Sequence, residues 1–143
     1  FPIVGVKATL ADGSYHDVDS SDMAFQLCAR TGFREAFLKT KPVLLEPIMK
    51  LEVEVPSDFQ GAVTGELNKR RGLIVSTETV GNTSRIIAEV PLAQTFGYST
   101  DLRSATQGQG VFSMEFFKYR PMPGNVQKEV VEERKQAELA AAK

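Results

Sequence analysis

Tryptophan is absent from this sequence, cysteine and histidine occur once each, and no apolar run approaches the roughly 20 residues a membrane-spanning helix needs. The single cysteine, Cys28, excludes an internal disulfide and a thiolate metal cluster. Set among Ala24, Leu27 and Ala29 in helix-prone sequence, it is expected to be a small buried hydrophobe rather than a reactive thiol. One histidine, His16, with Asp17 and Asp19 on an exposed turn falls short of any metal-ligand pattern. Charge of one sign is lacking too. The net charge is -1, and basic and acidic residues nearly balance in residues 1–47, 48–120 and 121–143 alike. Binding of nucleic acid by bulk electrostatics is thereby disfavoured, and any RNA contact has to come from a local patch. The chain starts at Phe1 without an initiator Met or a basic leader, so a fragment or processed chain is expected.

What is present reads as an α+β protein. At 143 residues the chain has room for one domain, or for one small domain and part of another. Its organising stretch is Pro42–Pro56. Met49, Leu51, Val53 and Val55 alternate there with Lys50, Glu52 and Glu54, the period of a strand buried on one face. Val43, Leu44 and Leu45 are instead consecutive and apolar, and Pro47 removes a ladder donor in mid-run. A domain junction is therefore expected at Glu46 and Pro47, with Val43 to Leu45 finishing an upstream sheet.

Upstream, Val4, Val6, Ala8 and Leu10 alternate with Gly5, Lys7 and Thr9 and predict a strand that ends at Ala11-Asp12-Gly13. A polar loop, Ser14 to Asp19, follows. Asp19, Ser20 and Ser21 offer helix N-cap oxygens, and the helix should run to about Lys39. Strand, loop, helix and strand over 1–46 cannot bury both faces of a sheet, so this part is expected to be an incomplete domain. Downstream, the strand Ile48 to Val55 precedes a helix marked by a Ser57–Gln60 capping box. That helix carries Phe59, Ala62, Val63 and Leu67 on one stripe, and Gly61 and Gly65 allow a close backbone approach. Strands at Leu73 to Val80 and Ser84 to Val90 flank a Gly81-Asn82 turn. A short helical region from Pro91 through Thr106 and a last strand, Val111 to Tyr119, complete the order. Residues 47–121 thus predict a β-α-β-β-α-β ferredoxin-like sandwich, and residues 122–143 a helical tail with an apolar patch at Val126, Val130 and Val131.

Few residues suggest catalysis. Ser14, His16, Asp17, Asp19 and Ser20 crowd one short loop, but neighbours in such a loop do not reach triad geometry, and no nucleophile elbow exists. Neither GxxxxGK(S/T) nor GxGxxG occurs, and Gly108-Gln109-Gly110 precedes a strand where a phosphate loop would precede a helix. Binding fits better. Tyr15 and His16 at a loop tip can stack on or hydrogen-bond to unpaired bases, or the loop can be a solvated turn that only caps the helix. Lys69, Arg70 and Arg71 can grip phosphates or simply terminate a helix. The donors of Thr100 to Gly108 around Arg103 can serve a ligand or the local backbone. The basic-aromatic pattern of an RNA-recognition motif is missing from the strands.

Five motifs in one order and spacing carry a resemblance. They are Gly13-Ser14-Tyr15-His16-Asp17-Val18-Asp19-Ser20-Ser21, Pro42-Val43-Leu44-Leu45-Glu46-Pro47-Ile48-Met49, Asn68-Lys69-Arg70-Arg71-Gly72, Phe96-Gly97-Tyr98 and Asp101 to Gly108. Together they closely resemble the C-terminal part of elongation factor G, the translational GTPase, from Phe1 to about Pro123. The resemblance implies that residues 1–46 are the latter part of domain IV and that 47–121 are domain V. It implies a role in GTP-dependent translocation of tRNA and mRNA on the ribosome. Ser14, Tyr15, His16 and Asp17 would then form the tip that enters the decoding centre. Domain V would lie near the sarcin-ricin loop and the L11 stalk base, with Lys69, Arg70, Arg71 and Arg103 as candidate rRNA contacts. His16 matches the position that archaeal and eukaryotic relatives modify to diphthamide, in a loop of the bacterial type. Gln109 departs from the basic residue many members carry. GTP and Mg2+ would be bound by a G domain that is not in this sequence, and the chain itself would hold no cofactor and perform no catalysis. A cytoplasmic bacterial monomer without a membrane partner is expected, with an organellar factor as the alternative source. Competing readings are a paralogue acting in ribosome recycling or back-translocation, and a non-ribosomal interaction module.

Overall fold

The computed structural model describes residues 1–142, which form, in chain order, α1 (Asp22–Lys39), β1 (Leu45–Pro56), α2 (Gln60–Lys69), β2 (Leu73–Val80), β3 (Thr83–Pro91), α3 (Tyr98–Ala105), β4 (Val111–Pro121) and α4 (Gly124–Ala141). Two units divide the chain, one of Phe1–Pro42 and one beginning at Val43.

In the second unit β1 lies at the centre of a four-stranded sheet of order β2-β3-β1-β4. Every neighbouring pair is antiparallel. With α2 after β1 and α3 after β3, the connectivity is the ferredoxin-like β-α-β-β-α-β that the hydrophobic pattern predicts. The alternation in β1 shows why. Leu51, Val53 and Val55 are buried. They lie in one core with Val63 and Leu67 of α2, Ile86, Ala88 and Val90 of β3, and Tyr98 and Leu102 of α3. The opposite face carries charge, including an ion pair between Glu52 and Arg85 across the β1–β3 ladder.

Several local expectations are corrected. β1 does not stop at Glu46 and Pro47; it runs unbroken from Leu45, so Leu45 belongs to this sheet and the expected break lies inside a strand. Pro47 is tolerated because it lies beyond the end of β3. It pairs with Tyr119 of β4 alone, immediately before the register shift between Ile48 and Met49. The Ser57–Gln60 capping box does not form. Ser57 starts a 3-10 turn and donates its N–H to the carbonyl of Asn82 at 2.8 Å, while Gln60 Oε1 accepts from the Ser84 hydroxyl at 2.9 Å. A Cβ on Gly61 or Gly65 would meet no group of the described residues within 4 Å, so the glycine spacing in α2 serves no close approach. The region from Pro91 to Thr106 is two pieces, a 3-10 turn at Leu92–Gln94 and α3, separated at Gly97 with φ of 76°.

In the first unit Ser21 caps α1, its hydroxyl accepting the Ala24 N–H at 3.1 Å. Residues Val4 to Leu10 form no strand. An isolated strand has no ladder to satisfy its backbone, and Gly5 with φ of 70° interrupts the run. No residue of α1 is buried, and Cys28 is exposed rather than buried as expected, because no sheet lies within this unit for the helix to cover. The tail is helical as α4. Its first turns are half-buried at Val126, Val130 and Val131. Met122, just before α4, and Gln127 in its first turn clasp the start of the unit: Met122 N–H donates to Leu44 O at 2.8 Å, and Leu44 N–H to Gln127 Oε1 at 3.3 Å.

The turn from α2 into β2 has no spare room. A Cβ on Gly72 would stand 2.7 Å from Leu67 O and 3.2 Å from Val90 Cγ2. Gly72→Ala should therefore cost about 1–3 kcal/mol, read as a lower urea midpoint with an unchanged slope.

Candidate nucleic-acid interface

Among the described residues no group of three or more His, Cys, Asp or Glu side chains could hold a metal ion, and no helix is long and apolar enough to cross a membrane. Two places carry the polar residues that the sequence singles out.

The first is the loop before α1. Ser20 N–H donates to the His16 carbonyl at 2.9 Å, and the His16 N–H donates back to Ser20 Oγ at 2.8 Å. This reciprocal pair closes the loop. Inside it, His16 Nδ1 accepts from the backbone N–H of Val18 at 3.2 Å and of Asp19 at 3.4 Å, the role an Asx side chain plays in a turn. The imidazole is nonetheless 67% exposed, with Asp19 Oδ2 at 3.4 Å from Nδ1. Tyr15 is also exposed, its ring 6.4 Å from that of Phe25 and nearly parallel to it. Ser14 and Asp17 are exposed beside them. The four tip residues Ser14, Tyr15, His16 and Asp17 are thus brought together in one loop on solvent. Ser20 is the residue sequence reading missed here. It reads as a helix cap, but Ser21 caps α1 and Ser20 ties the loop; the signal was a hydroxyl four residues after the histidine.

The second is the end of α2, where three consecutive cations have three different fates. Lys69 extends outward with 79% of its side chain exposed, 3.7 Å from Glu66. Arg70 turns in and is only 13% exposed. It donates to Gln94 O at 2.6 Å, to Phe96 O at 3.0 Å and to Glu66 Oε1 at 3.4 Å, and pairs with Asp101. Its guanidinium also lies 5.4 Å from the centre of the Tyr98 ring. Arg71, in the left-handed region at φ of 56°, grips the buried Glu46 with two parallel bonds of 3.1 and 3.0 Å. Sequence could not separate these roles, because the partners Glu46 and Asp101 lie far along the chain.

Arg103 on α3 is exposed. Around it the turn after α3 uses its own donors. Gly108 N–H goes to Arg103 O at 2.8 Å, Gln109 N–H to Thr106 O at 3.0 Å, and Gly110 N–H to Thr106 Oγ1 at 2.9 Å. A Cβ on Gly110 would meet that same oxygen at 2.9 Å. These amides do not form a phosphate cradle, and the segment does not fit a nucleotide. Thr106 is fully buried, its hydroxyl donating to Leu102 O at 2.6 Å. Tyr98 is buried with its hydroxyl lacking a partner among the described residues, and burial pushes its pKa up to about 12 against the opposing pull of Arg70.

Comparison with known proteins bears on these motifs. The sequence model of the family described as elongation factor G, domain IV, matches residues 1–41, and that described as elongation factor G C-terminus matches residues 43–130. The elongation factor G of Rhodopirellula baltica is 57% identical over 143 residues, 100% of this chain and 21% of that protein. Elongation factor G 1 of Syntrophus aciditrophicus is 55% identical over 142 residues, 99% of this chain and 20% of that protein. The crystal structure of ttk003000868 from Thermus thermophilus superposes with a TM-score of 0.72 at 42% identity, over 87% of this chain and 19% of that one. This chain spans about a fifth of the length of the relatives it matches.

The internal and outward cations are separable by measurement. Arg70→Ala should lower stability by about 1–3 kcal/mol, since it leaves the carbonyls of Gln94 and Phe96 without their donor and removes the guanidinium packed on Tyr98, whereas Lys69→Ala and Arg103→Ala should change the urea midpoint by less than about 0.5 kcal/mol equivalent. Tyr98 adds a pH signature. Its hydroxyl ionises near 10.0 when unfolded and near 12 when folded, so the stability it contributes is complete below pH 10 and is lost as pH rises towards 12. Tyr98→Phe should flatten that alkaline decline in urea midpoints taken between pH 8 and 11.

Proposed function

The chain belongs to the elongation factor G family, and from that premise we propose that it is the C-terminal portion of a translocation factor. In this reading residues 1–42 present the tip of domain IV to the decoding centre, where Tyr15 and His16 meet the tRNA and mRNA. The unit from Val43 on is domain V and lies against the rRNA of the large subunit, near the sarcin-ricin loop and the L11 stalk base. GTP and Mg2+ are the business of the G domain of the whole factor; this chain contributes position and contact, not hydrolysis. The partner is the ribosome, in the cytoplasm of a bacterium.

The observation that carries the reading is the tip itself. A loop closed by its own backbone and Ser20 holds a histidine and a tyrosine out in water, where they satisfy nothing in the core. Ring stacking and one directed donor are what unpaired bases and sugar-phosphate edges accept. In domain V, Lys69 and Arg103 are the proposed phosphate contacts, because their charged groups face solvent. Arg70 and Arg71 support that surface from within.

His16→Ala in the full-length factor should slow translocation of a pre-translocation complex about tenfold or more while leaving GTP hydrolysis nearly intact, the pattern expected of a lost positioning contact. Equal loss of both activities, measured in rapid-mixing assays, would remove the role assigned to His16. The same assay divides translocation from recycling: a factor that splits ribosomes but fails to advance the complex belongs to the paralogous reading.

A further inference from the structure

We propose that the two nitrogens of His16 have separate duties, Nδ1 closing the tip loop and Nε2–H serving as the outward donor, with Ser20 as the residue that enforces the division. The inference rests on the tip-to-RNA reading for its ligand, but its geometry stands alone. Two backbone N–H groups, of Val18 and Asp19, point at Nδ1 from 3.2 and 3.4 Å. A proton on Nδ1 would oppose both donors. In the neutral ring the proton therefore resides on Nε2, the nitrogen without a partner among the described residues. The tip accordingly offers its ligand a hydrogen-bond donor and selects an acceptor: a phosphate or ribose oxygen, or an unprotonated base nitrogen or carbonyl.

Ser20 acts through His16 and not on the ligand. Its hydroxyl and amide hold the backbone of His16 in a two-way clamp of 2.8 and 2.9 Å, which closes the turn in which the Val18 and Asp19 amides reach Nδ1. Asp19 is the built-in competitor. Its Oδ2, 3.4 Å from Nδ1, gains a hydrogen bond only from a proton on that nitrogen, so the tautomer is decided between two amides and one carboxylate. Helix capping is a separate task carried by Ser21, which leaves Ser20 free to be substituted without unwinding α1.

Nitrogen-15 NMR of the histidine ring in the full-length factor, with the His16 signals identified by their loss in His16→Ala and at a pH where the ring is neutral, reads the tautomer directly. The expected result is a protonated Nε2 and an unprotonated, hydrogen-bonded Nδ1. A dominant Nδ1–H form would overturn the proposal. Ser20→Ala should shift the ring signals toward a tautomer mixture and speed solvent exchange of the Val18 and Asp19 amides about fivefold, with α1 helicity unchanged. Unchanged exchange and tautomer would remove Ser20 from its role. His16→Asn supplies the separating variant, because its side-chain oxygen can accept the same two amides while it lacks the distal donor. In the full-length factor this variant should keep the amides protected yet translocate as slowly as His16→Ala. Wild-type translocation by His16→Asn would overturn the donor role, whereas wild-type translocation by His16→Ala would sink the tip-to-RNA reading while leaving the ring chemistry measured by NMR in place.

Discussion

Arg70 and Arg71 are neighbours that pull in different directions, and the second unit is arranged around that divergence. One ties the C-terminal end of α2 to the turn and helix that follow β3; the other ties it to the first residues of β1 through a buried carboxylate. Packing alone would leave the end of α2 free to slide over the sheet. Two guanidiniums with planar, multiple bonds fix it, since each geometry is satisfied in one register only. The tie works because the left-handed turn at Arg71 swings its side chain away from that of Arg70, and Gly72 then admits the backbone close beneath Leu67.

That constraint explains why motifs scattered along the chain occur together. Glu46 lies in the motif from Pro42 to Met49, Arg70 and Arg71 in that from Asn68 to Gly72, Phe96 in the next and Asp101 in the last, and the structure joins all four through these two side chains. Much of what looks like a set of binding signatures is therefore scaffold. Of those motifs, what remains for a partner is small: an exposed lysine, an exposed arginine on α3, and the loop around His16. Under the proposed reading, a near-neutral chain has to meet RNA with few, well-placed groups.

The elements of the second unit were legible because each repeats one period clearly. Leu51, Val53 and Val55 alternate, Val63 and Leu67 lie one helical turn apart, and glycines mark the turns. The extent of β1 was not, because the rule that proline ends a central strand ignores where the neighbouring strand stops. Ser57 and Gln60 satisfied a local capping pattern but were claimed by Asn82 and Ser84 across the hairpin. Cys28 failed for the opposite reason: sequence can mark the apolar side of a helix, but not whether anything covers it. At the tip, exposure of Tyr15 and His16 was legible from composition, while the use of Nδ1 was not, since it depends on the direction of two backbone amides.

The clasp at Leu44 has a mechanical meaning. The polypeptide enters the second unit directly into its central strand, and the first turn of α4 and the end of β4 are stitched to that entry point. The entry segment is thus held where β1 pairs with both β3 and β4, so it cannot peel away without breaking ladder bonds to its neighbours.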